Sequence, residues 1–563
     1  MDRTKIRAIL DEIAIEIETI PDKRIANSQR LLLNLVEVLS EENESLKKTI
    51  QALKDEINRL KGEQGKPAIR KQTKEGDLTN PNHSSEKDRK RRSEQKKPRK
   101  PKVKKKTTVK IDRRVVIEFD KNGLPPDAMF KGYETRVVQD IKITTDNVEF
   151  KLPTYYSPSL KKTFIAPLPM DYQGEFGVSL RSLVVTLYRD SGMTQPAIKR
   201  FLTTFGISIA ASTISLMLTE GHEIFHEEKE DIIDAGLKAS VYQHIDDTGC
   251  RVNGKNQVTH ILCNPYFTAY FTRPQKERLT ILSILSRGEL NYQFDEESYL
   301  LMSELGLSDK RLNALKTAIS DNVLTQKALD ELLKILFMNP KKHSTAQRII
   351  REAAAIVYYH HLDYAITHLI CDDAPQFNKI ALYKALCWIH EGRHYKKLNP
   401  VVMAHRQALD QFIEQFWDYY ERLLAYKKIP SASFALQLSQ EFDALFSTKT
   451  GYDALDSRIA MTFAKKTPLL LVLEFPMLPL HNNPAELGAR AQARMRDINL
   501  QTISENGTKT KDTFATIVQT AKKLGVNIYH YIHDRISQSS QMPSLAHLIS
   551  QQTPPPDNLA LVT

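Results

Sequence analysis

The stretch Tyr242-Gln-His-Ile-Asp-Asp-Thr-Gly-Cys250 carries two adjacent carboxylates, Asp246 and Asp247, directly after an apolar position at Ile245. The alternation of apolar and more polar residues before the acids is typical of a buried strand. Thr248-Gly249 follows the acids, and these residue types indicate a turn. The stretch therefore predicts a strand that delivers an acid to the edge of a sheet.

Two later segments place acids in comparable settings. The apolar segment Ile366–Ile370 leads into Asp372 and Asp373, and Glu486 ends the sequence Asn482-Asn-Pro-Ala-Glu486, which is typical of a helix start. Two strand-end aspartates and a helical glutamate make an all-oxygen ligand set, which suits the hard cations Mg²⁺ and Mn²⁺. We therefore expect a magnesium or manganese site.

The chain has 563 residues and a formal net charge of +12, and most of that charge lies in one segment. Residues 87–106 contain thirteen Lys or Arg against two acids, which leaves +11. Because residues 63–108 hold few apolar residues, they are predicted to be a disordered basic linker. Such a linker binds nucleic-acid phosphates without sequence specificity, or it serves only as a soluble spacer. We favour nucleic acid, with the DNA-binding residues Lys90, Arg91, Arg92, Lys96, Lys97, Arg99, Lys100, Lys104, Lys105 and Lys106.

Four widely spaced cysteines, none in a C-x-x-C pair, argue against a disulfide framework and against a structural zinc site. No zinc is therefore expected. The N-terminus lacks an apolar signal core, and no apolar run is long enough to span a bilayer. We expect a cytoplasmic protein without a membrane partner.

Residues 1–62 are predicted to be a helical segment for dimerisation. Apolar residues recur there at alternating steps of four and three, as in a leucine zipper, with an asparagine at one core position that favours two strands. The alternative is a long amphipathic helix that folds back on its own chain. The heptad positions are Leu32, Val36, Leu39, Asn43, Leu46, Ile50, Leu53, Ile57 and Leu60.

The remaining pattern predicts a helix-rich α/β multidomain protein. Residues 109–172 alternate like a small β module, and residues 173–236 read as three short helices with a glycine turn, similar to a helix-turn-helix, followed by a connecting helix. The strands of the β module are expected at Val115–Phe119, Thr135–Ile143 and Val148–Thr154.

Residues 237–535 are expected to form the catalytic domain, followed by a tail at 536–563. Three antiparallel strands, with Asn253-Gly254 as a hairpin turn, then a helix and a strand ending at Asp372 give the order of a ribonuclease-H-like mixed sheet. Helical insertions are predicted at about 276–350 and 387–465, and everything from Ile380 to about Phe463 reads as helix. The three strands are predicted at Ala239–Asp247, Gln257–Cys263 and Phe267–Thr272.

Several motifs in order resemble the insertion sequence sixty-six family of bacterial DDE transposases. They are Ile245-Asp-Asp-Thr-Gly249, Asp372-Asp-Ala-Pro-Gln-Phe377, Cys387-Trp-Ile-His390, Asn482-Asn-Pro-Ala-Glu-Leu-Gly-Ala-Arg490 and Ser504-Glu-Asn-Gly-Thr-Lys509. The likeness runs from about residue 30 to 540. It implies Asp246, Asp372 and Glu486 as catalytic acids that bind two Mg²⁺ or Mn²⁺ ions.

The resemblance also implies an activity: metal-dependent cleavage at the ends of an insertion element and strand transfer into target DNA. The partners would be double-stranded DNA and a second copy of the chain or more, in a bacterial, nucleoid-associated setting. Whether accessory proteins from the same element take part stays open. The alternatives are a catalytically inactive, transposase-derived DNA-binding regulator and, more weakly, a helical scaffold that only dimerises.

The chain departs from the family pattern in three respects. Residues 109–172 lack the cysteines of the usual zinc-binding module, Asp246 and Asp372 are 126 residues apart, and His481 stands where an aspartate is common.

The residues themselves leave some choices open. Asp247 could replace Asp246 in the site, and Asp373 could replace Asp372. Glu486 also fits a first-turn glutamate that stabilises the helix dipole. Arg490, one turn later, could bind a DNA phosphate or form a surface pair with Glu486. Cys387 and His390 lack ligand-spaced partners and are interpreted as packing residues.

Overall fold

A computed structural model describes residues 20–60, 111–117, 129–141, 143–169, 174–287, 290–337 and 339–552, with residues 10, 13 and 172. The basic linker, including all its predicted DNA-binding residues, and the last eleven residues of the tail lie outside these ranges. Within the described ranges, no helix combines the length and apolar character needed to cross a bilayer.

Most elements of the described chain are helices, which come before, between and after the strands of one main sheet. The elements before the sheet are α1 (Lys23–Leu60), β1 (Thr154–Ser157), β2 (Lys162–Ile165), α2 (Val178–Arg189), α3 (Gln195–Thr204), α4 (Ala211–Thr219) and α5 (Glu223–Lys238). The next elements are β3 (Tyr242–Val252), β4 (Lys255–Cys263), β5 (Thr268–Arg273), α6 (Arg278–Leu285), β6 (Tyr292–Gln293), α7 (Glu296–Glu304), α8 (Asp309–Ala318), β7 (Val323–Leu324), α9 (Gln326–Leu336), α10 (Pro340–His360), β8 (His368–Cys371) and β9 (Tyr383–Leu386). The last elements are α11 (Trp388–Lys397), α12 (Met403–Tyr426), α13 (Ala432–Phe446), α14 (Asp453–Phe463), α15 (Lys466–Leu469), α16 (Asn483–Asn499), α17 (Glu505–Leu524), α18 (Ile528–Ile536) and α19 (Leu545–Ser550).

The main sheet has the strand order β5-β4-β3-β8-β9. Strands β3, β4 and β5 are antiparallel, whereas β8 and β9 run parallel to β3. The predicted hairpin between β3 and β4 is confirmed: Asn253 and Gly254 have φ values of 47° and 74°, as a type I′ turn requires. The predicted mixed α/β character is therefore confirmed.

Strand β3 differs from its prediction at Thr248-Gly249, which was expected to turn. The strand continues to Val252, because residues 244–252 pair without a break with residues 263–255 of β4. Within β3, the residues that pair with the parallel strand β8 are only 242–244. Asp246 therefore lies within a strand, just past the point at which β8 ends.

Strand β9 was not predicted, since the region from Ile380 onward read as helix. Its four residues pair with β8 from His368 to Cys371. A segment of this length offers too few residues for a strand period to be distinguished from a helical one. Whether this segment forms a strand therefore depends on its pairing with β8.

The three strands predicted between residues 115 and 154 are wrong. The described parts of residues 111–153 contain no regular strand, and the hairpin of this region, β1 and β2, lies further on. Val138 and Ile141 are 86% and 79% exposed. Alternation predicts a strand only where one face is buried, and these side chains have no such face.

Two large apolar cores lie on either side of the sheet's C-terminal edge. The larger core joins α2–α10 and α17–α19 to the sheet. The smaller one is built by α11–α15 around Trp388, which is fully buried and donates from Nε1 to the carbonyl oxygen of Leu469 at 2.9 Å. The helical insertion that follows β9 thus has a core of its own.

Helix α1 docks on this insertion through its first turns. Leu33 is buried against Val402, and Asn34 donates to the carbonyl oxygen of Gly451 at 3.1 Å and accepts from the N–H of Asp453 at 3.0 Å. Glu37 accepts hydrogen bonds from the N–H groups of Val401 and Val402. These contacts cap α12 and α14 from another part of the chain.

The zipper positions lie on a neighbouring face of α1. Leu39, Leu46, Ile50, Leu53 and Ile57 are each at least 50% exposed, while Val36 packs partly against the docking site. The N-terminal half of α1 thus packs on the rest of the chain, as the second sequence interpretation expected, and an apolar stripe of the helix remains exposed. Pairing with a second chain stays a prediction.

Helices α2, α3 and α4 form the predicted three-helix unit. The hydroxyl of Thr194 caps α3 by accepting from the N–H of Ala197 at 3.3 Å, and Gly206 turns the chain toward α4 with a φ of 81°. The unit packs on α17 and α18. Helix α4 contains no lysine or arginine, whereas α3 exposes Lys199 and Arg200. DNA recognition by this unit stays a prediction.

Candidate active site

Asp246 lies in the middle of β3, where the strand pairs with β4 on one side and is past the end of β8 on the other. Its Oδ1 accepts a hydrogen bond from the N–H of Asp247 at 2.8 Å. Burial, together with the negative charges of Asp372, Glu486 and Asp247, raises the pKa of Asp246 to about 7, although that hydrogen bond acts in the opposite direction. The negative charge of the acids is thus not neutralised by the groups around Asp246.

Asp372 follows the last residue of β8, at the C-terminal edge of the sheet. Because β3 and β8 are parallel neighbours, that edge brings it next to the segment that carries Asp246. Its Oδ1 accepts from the N–H of Ala374 at 3.2 Å, which turns the chain away from the strand. The strand end predicted before Asp372 is therefore present, whereas Asp246 lies inside β3 and not at its end.

Glu486 lies in the first turn of α16, which packs across β3 and β4. Gly488 permits this approach, since a Cβ at this position would lie 2.8 Å from Ile261 Cγ2. Tyr270 secures the contact by donating from its hydroxyl to the carbonyl oxygen of Gly488 at 3.1 Å. The helix therefore lies close against the strand that bears Asp246.

Arg393 of α11 binds Glu486 through both oxygens. Its Nη1 donates to Oε1 at 2.8 Å and its Nη2 donates to Oε2 at 2.7 Å. The pair considered from the sequence, Glu486 with Arg490, does not form, and Arg490 is exposed. A planar guanidinium matched to both carboxylate oxygens is a strong, directional ion pair.

Asn482 joins three parts of the site. Its Nδ2 donates to the carbonyl oxygen of Ile245 at 2.8 Å, its Oδ1 accepts from Nδ1 of His244 at 3.0 Å, and its N–H donates to Sγ of Cys387 at 3.2 Å. Although Asn482 occupies the N-cap position of α16, its side chain makes no capping hydrogen bond. It fixes the start of α16 to β3 and to the start of α11.

Each neighbouring aspartate has cationic partners within the chain. Asp247 accepts from Nε2 of Gln376 at 2.9 Å and lies 3.9 Å from Nζ of Lys276. Asp373 lies 2.8 Å from Nζ of Lys465 and 3.5 Å from Nζ of Lys384. Burial by itself would raise the pKa of Asp373, but the hydrogen bonds and charges of these lysines lower it.

The three acids have the chemistry to bind a divalent ion, but their side chains are not placed around a common position. In the part of the chain that is described, no three acidic, histidine or cysteine side chains converge closely enough to hold an ion as they are placed. Glu486 would have to release oxygen from Arg393 to become a ligand. Carboxylate oxygens are nevertheless the donors that Mg²⁺ and Mn²⁺ prefer, and the charge at Asp246 favours a cation.

The cysteine and histidine of the Cys387-Trp-Ile-His390 motif take packing roles. All four cysteines are buried free thiols, and burial raises the pKa of Cys387 to about 11 despite the N–H of Asn482. The imidazole of His390 packs against that of His394. Arg393, Lys384 and Lys465 were not identified from the sequence, because their partners lie far away along the chain.

The fold and the site define an α/β protein with a mixed five-stranded sheet, in which Asp246 lies on β3, Asp372 follows β8 and Glu486 begins a helix packed across β3 and β4. Residues 341–510 match the profile of the family described as the Transposase IS66 family, and the resemblance inferred from the sequence is confirmed over that segment, which includes Asp372 and Glu486. The chain is also 29% identical over 325 residues to an uncharacterized protein, y4jO, of Sinorhizobium fredii (strain NBRC 101917 / NGR234). That alignment covers 57% of this chain and 99% of the relative.

Proposed function

We propose that this chain is a DNA transposase that uses Asp246, Asp372 and Glu486 in metal-dependent cleavage at the ends of an insertion element and in strand transfer to target DNA. The observation that carries the proposal is the arrangement of the acids: Asp246 lies on β3, Asp372 follows its parallel neighbour β8, and Glu486 begins the helix that packs across β3. Burial and the charges of Asp372 and Glu486 also raise the pKa of Asp246. Uncompensated carboxylates of this kind cluster at functional sites. The family match over residues 341–510 supports the same reaction class.

The order of the strands supports a ribonuclease-H-like domain. Three antiparallel strands are followed, after a helical segment, by β8, which runs parallel to β3 and ends directly before Asp372. The helices α11–α14 enter between β9 and α16 as an insertion, so that the third acid arrives from a helix packed back on β3.

In this proposal Asp246, Asp372 and Glu486 would together hold the two divalent ions. Bound Mg²⁺ or Mn²⁺ supplies activation of the attacking oxygen and charge stabilisation of the leaving oxygen. The chain itself holds the three acids in fixed relation through the β3–β8 pairing, through the approach of α16 at Gly488 and through Asn482.

DNA would be held by parts of the chain outside the acid cluster. The basic linker would supply phosphate contacts that weaken as salt is raised. Arg490, exposed one turn beyond Glu486, would add a contact near the acids. The exposed stripe of α1 would pair two copies, which suits a reaction on two element ends.

The decisive experiment measures cleavage and strand transfer on DNA that carries the element's own ends, with Mg²⁺ or Mn²⁺. We expect wild-type activity, a loss of about 1,000-fold or more in Asp246→Ala, and a much smaller loss in the matched control Asp247→Ala. Activity retained in Asp246→Ala would refute the assigned site. Equal losses in both variants would show that the choice between the two aspartates is wrong.

One observation favours the alternative of a DNA-binding regulator without catalysis: both oxygens of Glu486 are occupied by Arg393. A regulator would bind the element ends specifically in the experiment above but would leave them uncut with either metal.

A further inference from the structure

The guanidinium of Arg393 stands at the entrance to the acid cluster, on a rigid helix. Trp388 and Tyr395 of the same helix, α11, are buried in the core of the insertion. The neighbouring Glu391 is fixed by Arg458 and by the hydroxyl of Thr462. These contacts anchor the backbone of α11, whereas the side chain of Arg393 remains partly exposed.

That side chain is not enclosed. It is 37% exposed, whereas the side chain of Glu486 is 20% exposed. The hydrogen bonds that Arg393 donates to Glu486 raise the pKa of Arg393, and the charge of Asp246 acts in the same direction. The guanidinium is thus close enough to the acids to be attracted by their negative charge, and solvent or a ligand from solvent can reach it.

A divalent ion and Arg393 need the same atoms. Both Glu486 oxygens accept from the guanidinium at 2.7–2.8 Å, and a hard cation binds the same lone pairs. The described residues offer Arg393 no second carboxylate within ion-pairing distance. A guanidinium released from Glu486 would therefore keep its planar fork of donors, which matches the oxygens of a phosphate.

We propose that Arg393 binds a backbone phosphate of the DNA at the site. Without metal, Arg393 is paired with Glu486. When Glu486 binds a divalent ion instead, Arg393 is released from this ion pair and binds the phosphate. The inference rests on the proposed function and adds to it a specific phosphate-binding residue. It also makes metal binding and DNA binding cooperative, because each takes up one partner of the same ion pair. A residue that merely oriented Glu486 would have the opposite effect on metal affinity.

The test compares Mn²⁺ binding to the full chain without DNA, by calorimetry, in wild type, Arg393→Gln, Arg393→Lys and Arg494→Gln. Arg494, exposed two turns beyond Glu486 on α16, controls for the loss of one positive charge. We expect Arg393→Gln to bind Mn²⁺ about three- to tenfold more tightly than wild type, because the competing ion pair is gone. Arg393→Lys should fall between them, and Arg494→Gln should match wild type.

The second arm measures binding of a short DNA duplex with and without Mn²⁺. Mn²⁺ should strengthen duplex binding by wild type about tenfold, and this gain should be largely lost in Arg393→Gln. Unchanged or weaker Mn²⁺ binding in Arg393→Gln, with wild-type binding intact, overturns this inference alone. Equal Mn²⁺-dependent gains in duplex binding also overturn it. Absence of Mn²⁺ binding in the wild type overturns the proposed function and this inference with it.

Discussion

The side-chain amide of Asn482 donates a 2.8 Å hydrogen bond to the carbonyl oxygen of Ile245, the residue immediately before Asp246. The two residues are 237 positions apart in the chain. Asn482 is 3% exposed and directly precedes the helix that carries Glu486. One buried amide thereby sets the distance between the first and the third acid.

Replacing Asn482 should therefore affect both stability and the site. Asn482→Ala leaves the carbonyl of Ile245 and the imidazole of His244 without their buried partner, which should cost about 2 kcal/mol in the free energy of unfolding. Urea unfolding measures this loss. The matched control is Asn483→Ala, whose side chain makes no hydrogen bond to the described residues and which should change stability by less than about 0.5 kcal/mol. Equal losses would show that the cost comes from the start of the helix.

The docking of α1 should depend on pH through Glu37. Burial would raise the pKa of Glu37, but hydrogen bonds from His405, Val402 and Val401 outweigh burial and lower it. Because the folded-state pKa lies below the unfolded one, the stabilisation is complete above the ordinary carboxyl pKa of about 4.3 and is lost as pH falls through the lowered value. We expect the difference in unfolding free energy between wild type and Glu37→Gln to shrink by about 1 kcal/mol between pH 6 and pH 3. A difference that is constant with pH would contradict this assignment.

Two leucines of α1 should separate dimerisation from docking. Leu46 is 61% exposed on the zipper stripe, whereas Leu33 is 5% exposed against Val402. Leu46→Glu should give a monomer in sedimentation experiments without changing the proteolysis of α1, since Leu46 is exposed and does not belong to the core that docks α1. Leu33→Glu should keep the dimer but make α1 more sensitive to protease. A dimer that survives Leu46→Glu would show that the stripe does not pair two chains.

Asp246→Asn should stabilise the protein when divalent ions are removed. The variant takes a buried carboxylate out of a cluster of like charges, which should add about 1–2 kcal/mol to the free energy of unfolding in the presence of a chelator. Wild type should gain about 2.7 kcal/mol from Mn²⁺ at a hundredfold excess over Kd, and Asp246→Asn should lose most of that gain. Thermal unfolding with Mn²⁺ and with chelator measures both effects. Equal Mn²⁺ stabilisation of the two proteins would place the ion elsewhere.

Local patterns predicted those features that depend on neighbouring residues. The β3–β4 hairpin, the strand before Asp372, the cap at Thr194 and the helix at Glu486 were each recognised from a few adjacent residues. Strand predictions failed where a partner strand or a buried face decides the outcome. The described residues between 111 and 153 alternate without a buried face, and the short strand β9 pairs with β8 along its whole length. The turn expected at Thr248-Gly249 was overruled by the ladder with β4.

The sequence by itself determined which acids follow an apolar strand segment, which acid begins a helix and which face of α1 is apolar, because these properties follow from residue type and local period. Only the tertiary structure decided that Lys276 lies beside Asp247, that Lys465 pairs with Asp373, and that Arg393 binds Glu486 from 93 positions away. Those pairs depend on how the helical insertion packs against the sheet, and such packing leaves no mark in the local pattern of either partner.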